Sequence, residues 1–213
     1  RHYSNKKVPE NQTMNPLNSV AGVITAGIVL AVVIAAATTG INMNEISLIV
    51  WLHVLAGITW IGLLYYFNFV QVPALADAAS DDGGPGGAGI TKYVAPRALW
   101  WFRWGALATW LTGAAALWRL NLFGDAFTLG MMENGTTAGM LIGVGAWLGT
   151  IMLFNVWVLI WPNQKKVLGL VEASPEEVAK AKKTAFLASR TNTLLSIPML
   201  MSMVGYGHGG FFL

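Results

Sequence analysis

The stretch LNSVAGVITAGIVLAVVIAAATT, Leu17 to Thr39, carries no charged residue and is closed by Gly40. At about 1.5 Å per residue, roughly 20 such residues cross the ~30 Å hydrocarbon core of a bilayer. From this segment outward the chain reads as an integral membrane protein. Four more apolar segments follow. Ile46 to Val72 holds His53, Trp60, Tyr65 and Tyr66, and Pro73 marks its expected end. A third runs between Arg97 and Arg119 and begins with Trp100, Trp101, Phe102 and Trp104, with Arg103 among them expected to snorkel. A fourth stops at Pro162-Asn163. The fifth follows Ser174-Pro175-Glu176-Glu177, a helix start with a Ser cap, Pro in the first turn and Glu at the capping-box position, and a kink is expected at Pro198.

The expected fold class is therefore all-α: a single bundle of about five transmembrane helices, at 17–39, 46–72, 98–118, 137–161 and 187–206. A polar tail, 1–16, precedes it and contains Lys6, Lys7, Pro9 and Pro16. The segment DAASDDGGPGGAG, 77–89, is expected to be a flexible loop, and 163–186 is the one strongly charged stretch.

Composition agrees. Only 11% of the 213 residues are charged and 55% are hydrophobic, where a soluble domain carries about a quarter charged. Ten Trp suit a chain with two membrane interfaces to populate, and 24 Gly suit helices that pack closely in lipid. The absence of Cys excludes disulfides, thiolate metal sites, iron–sulfur clusters and covalently attached haem c. The chain opens on Arg1 with no signal-peptide pattern, so an initiator Met or longer leader is expected to precede it.

Charge placement sets a direction. With the tail inside, the inner segments collect twelve of the thirteen Lys and Arg residues, and Arg119 alone lies outside. The N-terminus is then cytoplasmic and the C-terminus on the far side. These cations sit where topology accounts for them, so no nucleic-acid partner is expected.

The same topology sorts the three histidines: His2 falls in the inner tail, while His53 and His208 fall toward the outer face. An ionisable residue within a span is a candidate functional group, and neutral imidazole is a common ligand of b-type haem iron. His53 and His208 are candidate iron ligands, and Gly57, one turn from His53 on the same face, leaves space beside a flat macrocycle. Arg119 is the candidate partner of a haem propionate. The alternatives are a His53 bonded to a neighbouring carbonyl or hydroxyl, a solvated His208 and a Gly57 that serves helix packing. Asn68, Gln71, Asn155 and Asn192 are expected to hydrogen-bond between helices, and the tryptophans to form interfacial belts. No pair of intramembrane carboxylates appears, which argues against a transporter built on acidic relays.

Four segments, WLHVLAGITWIGLLYYFNFVQ (Trp51 to Gln71), WGALATWLTG (Trp104 to Gly113), WPNQKKVLG (Trp161 to Gly169) and ASRTNTLLSIPMLMSM (Ala188 to Met203), carry a resemblance. Together they resemble the urate oxidase N-terminal family, the membrane part of bacterial cytochrome-c-linked urate hydroxylases. The resemblance implies a bacterial inner-membrane location and, in full-length members, a C-terminal cytochrome c domain. Here Cys is absent, and GGPGGAGITKYVAPRALWW lacks the histidines such members look richer in, so only His53 carries over. Urate oxidation by this chain alone is not expected. Two functions are expected instead: a small membrane redox protein with one b-type haem near the outer face, exchanging electrons with a separate cytochrome, or a non-catalytic subunit of a larger membrane complex.

Overall fold

A computed structural model describes residues 15–42, 44–132 and 134–210, so the tail through Met14, with His2, lies outside the described residues. The chain forms two units, Arg1–Asn44 and Glu45–Leu213. In the first, helix α1 (Val20–Thr39) follows a single 3-10 turn, Pro16–Asn18. Ser19 caps α1 by accepting from the Gly22 N–H, and Gly40, at φ 81°, ends it in a conformation open to glycine. The hydroxyls of Thr38 and Thr39 donate to carbonyls one turn back, which leaves the helix end with no unpaired hydroxyl donor there.

The second unit is all-helical among its described residues: α2 (Glu45–Ser80), α3 (Ala95–Arg119), α4 (Phe123–Phe127), α5 (Thr137–Val167) and α6 (Pro175–Gly207). Helices α2 and α3 pack antiparallel, so that His53 meets Thr109, Thr59 meets Gly105 and Phe67 meets Phe102. Helices α5 and α6 do the same, pairing Gly145 with Ser202 and Asn155 with Asn192. Trp60, Leu64, Phe102, Met152 and Val156 form the centre of the core.

Among the described residues three helices, α1, α2 and α5, are long and apolar enough to cross a membrane. Helix α3 carries three arginines, and the first third of α6 carries most of that helix's charges, which lowers their mean hydropathy.

Several boundaries differ from the sequence reading. Helix α2 runs through Pro73 to Ser80, which shortens the glycine-rich connection to about 81–87. The reason is local. Phe67–Gln71 is a π turn, in which the Val72 N–H donates to the Phe67 carbonyl five residues back. Proline lacks an N–H and its ring clashes with the carbonyl four residues earlier, and a widened turn relieves that clash. The same arrangement recurs twice. Ile90–Val94 precedes Ala95-Pro96, and Asn155–Ile160 precedes Trp161-Pro162, each closed by a bond to the carbonyl five back. Proline here follows a widening rather than a stop.

The charged stretch 163–186 is mostly helical: α5 continues to Val167, and α6 starts at Pro175 behind a capping box in which Ser174 and Glu177 bond reciprocally. The polar connection after α3 contains α4, which lies against α5 because Gly139 and Gly143 have no side chain. A Cβ on Gly143 would fall 2.2 Å from the Ala126 carbonyl oxygen. Asp125 at the front of α4 accepts from the Thr136 backbone and hydroxyl, tying the start of α5 to it.

Candidate functional site

His53 lies in the first half of α2 and faces α3. Its Nδ1 is 2.8 Å from the Thr109 carbonyl oxygen and 3.3 Å from Thr112 Oγ1. A carbonyl oxygen only accepts, so Nδ1 carries the proton. Thr112 Oγ1 has its own hydrogen directed to the Ala108 carbonyl, which leaves a lone pair for the same Nδ1–H. The tautomer is thereby fixed, with the lone pair on Nε2.

Gly113 makes this placement possible. A Cβ there would stand 2.9 Å from His53 Cε1 and 3.2 Å from Nδ1, so the imidazole occupies space that every other residue type would fill. Sequence reasoning named His53 but missed Gly113, Thr109 and Thr112. All three lie in WGALATWLTG, and only the antiparallel pairing of α2 with α3 reveals their role.

Gly57 also faces α3: a Cβ there would meet Thr109 Cγ2 at 3.8 Å, an ordinary contact. Arg119, at the end of α3, forms an ion pair with Glu45 at the start of α2, at 2.5 Å and with both side chains more than half exposed. His53, Gly57 and Arg119 thus share the α2–α3 interface. His208 follows α6, is exposed, and donates from Nδ1 to the Val204 carbonyl at 2.9 Å. Tyr206 packs against the smaller apolar cluster, which contains Leu117 of α3, and this puts His208 at the same end of the bundle as Arg119. Among the described residues, no group of three or more His, Asp or Glu converges on a point where a metal ion would be held.

Asn68, Asn155 and Asn192 bond between helices as expected, whereas the buried Gln71 Oε1 has no hydrogen-bond partner. Asn68 donates to Ser189 Oγ at 2.8 Å, Asn155 to Asn192 Oδ1 at 2.8 Å, and Asn192 to the Met152 carbonyl at 3.0 Å. Arg103 stacks its guanidinium 3.7 Å from the centre of the Trp161 ring, a cation–π contact between α3 and α5.

A helical bundle with an oriented histidine between two apolar helices defines a class of membrane-type site rather than one activity. The sequence model of the family described as urate oxidase N-terminal matches residues 126–212, which supports assigning the chain to that family. The match spans the two later resembling segments and His208, and His53 lies outside it. Neither the curated proteins nor the solved structures contain a match.

Proposed function

We propose that the chain is a multi-pass protein of the bacterial inner membrane, spanning it five times with its N-terminus inside, and that it serves as a small redox protein. Length and composition support three of the spans directly, and the twelve-to-one distribution of cations supports the direction. The observation that carries the redox reading is the His53 tautomer: Nδ1–H bound to the Thr109 carbonyl, Nε2 left as a donor atom, and the ring seated on Gly113. A second partner on the remote ring nitrogen is how proteins orient imidazole toward a metal. On this reading His53 and His208 would be the iron ligands of a b-type haem and Arg119 would face a propionate, in competition with Glu45, which already pairs with its guanidinium. Such a group, when bound, supplies one-electron exchange. The chain's own contribution is to hold the imidazole neutral and aimed and to keep lipid around it.

The purified chain should show a Soret band and, after dithionite, a reduced α-band, and His53→Ala should remove both. A wild-type spectrum without either band removes the haem reading and leaves the accessory-subunit one. That reading requires a mass well above a lone chain on gel filtration from native membranes.

A further inference from the structure

The opposite end of α2 holds a feature that the histidine site does not use. A cavity of about 540 Å³ lies among the second half of α2, the start of α3, α5 and the first third of α6. Along α2 its wall runs from Phe67 to Ala79, about 18 Å at 1.5 Å per residue. A volume drawn out over that length suits an alkyl chain better than a ring. Three π turns contribute to the wall, through Phe67, Thr91 and Ile160. π turns are rare and concentrate at functional sites.

The two ends of the cavity differ in chemistry. At the deep end Phe67 meets Phe102 edge to face at 5.4 Å, and Leu99 and Ile160 share the wall. Asn68 reaches the same level but bonds to Ser189, and its unpaired Oδ1, like Oε1 of Gln71, is sealed off from the open volume. This end therefore offers a ligand carbon. Two turns along α6 from Ser189, at the other end, stands Lys182, exposed and, among the described residues, in no ion pair or hydrogen bond. Gln164 lies at that end as well, in the last turn of α5, which the Lys166–Glu177 pair joins to the start of α6. Among the described residues Lys182 is the one charged member of the wall, and Asp77, between Ala76 and Ala79 on α2, takes no part in it. Ala76, Ala79 and Phe186 are wall residues that are themselves exposed, so the cavity opens at the surface of the bundle.

A carbon-lined volume with an unpaired cation at its mouth is the complement of an amphiphile with an anionic head. An alkyl chain that enters it leaves one apolar medium for another, so any preference among lipids has to come from the head. Basic pockets between membrane helices on the cytoplasmic side hold anionic headgroups in this way, and the proposed orientation puts Lys182 on that side. We infer that this cavity takes one acyl chain of an anionic phospholipid from the surrounding bilayer, with the phosphate against Lys182 and the second chain left in the bilayer. The inference rests on the membrane-spanning part of the reading above and uses none of the haem residues.

The test uses the full chain in a neutral detergent, titrated with palmitoyl-oleoyl phosphatidylglycerol, the phosphatidylcholine with the same chains, and palmitate, with native mass spectrometry counting the bound molecules. Wild type is expected to take one phosphatidylglycerol about tenfold more tightly than the phosphatidylcholine, because only the former carries a net negative head. Lys182→Gln should erase that preference, whereas Lys183→Gln, one residue on and outside the wall, should keep it. Ala79→Trp, which places an indole in the wall from an exposed position, should weaken both phospholipids without lowering the melting temperature. The proposal is overturned by equal affinities for the two phospholipids, by a preference that survives Lys182→Gln or is lost in Lys183→Gln, by undiminished binding to Ala79→Trp, or by palmitate binding more tightly than phosphatidylglycerol. A haem spectrum is read separately from these titrations, so the two readings fail independently.

Discussion

The two halves of α2 solve opposite packing problems. Around His53 the helix meets α3 through glycines, Gly57 on one side and Gly105 and Gly113 on the other, and the imidazole Nδ1–H is bonded to Thr109 and Thr112. Around Asn68 the helix widens, two buried acceptors, Asn68 Oδ1 and Gln71 Oε1, have no hydrogen-bond partner, and a cavity of about 540 Å³ opens between α2, α3, α5 and α6. Close approach fixes a group in a single orientation. Widening opens a volume and leaves polar atoms unpaired beside it.

Overfilling both halves is the strongest way to break this contrast. Gly113→Leu should destabilise the protein by about 1–3 kcal/mol in unfolding by SDS titration, because its side chain has to displace the imidazole. Ala76→Phe, in the cavity wall at an exposed position, should stay within about 0.5 kcal/mol of wild type. Equal costs at the two sites would mean that the halves do not differ in packing.

Asn192 offers the next contrast, since it is fully buried and bonded on both sides of its amide. Asn192→Ala should cost about 1–2 kcal/mol in the same assay, because Asn155 loses its acceptor and the Met152 carbonyl a donor. A change indistinguishable from zero would show that the α5–α6 contact does not depend on this pair.

A milder effect is expected beside the cavity end, at the start of α6. Glu177 lies below the ordinary carboxylate value of 4.5, first because the Ser174 backbone N–H donates to it and then because Lys166 does so. A depressed folded-state pKa contributes stability that is present above the unfolded value and lost as pH falls through the folded one. The protection factors of the Ser174, Glu176, Glu177 and Val178 amides should therefore be largest near neutrality and fall as acidification protonates Glu177. Protection that does not change with acidification would remove the capping role.

The smallest effect belongs to Glu45→Gln at the histidine end. Its pair with Arg119 is exposed, so the melting temperature should correspond to a loss of no more than about 0.5 kcal/mol, and less in high salt.

The parts legible in the sequence were those encoded locally. Hydropathy located the apolar segments, and Ser174-Pro175-Glu176-Glu177 announced the cap that the structure forms. Pro73, Pro96 and Pro162 were visible too. The first and last read as stops, because an i→i−4 helix cannot tolerate them and nothing in the residue string declares a shift to i→i−5. His53 could be named, while its seat on Gly113 depends on a pairing across some 60 residues of chain. The cavity depends on four helices at once, and each of its lining residues taken alone reads as ordinary core.

Each π turn amounts to one residue inserted into a helix that does not break. An apolar stripe traced at about 100° per residue loses its phase at such a point and resumes on a rotated face. Helix α2 meets α3 at His53 and Gly57, and around the turn it meets both α3, through Phe67, and α6, through Tyr65 and Asn68. A single span thus goes from one recognition surface to two as it reaches Phe67–Gln71.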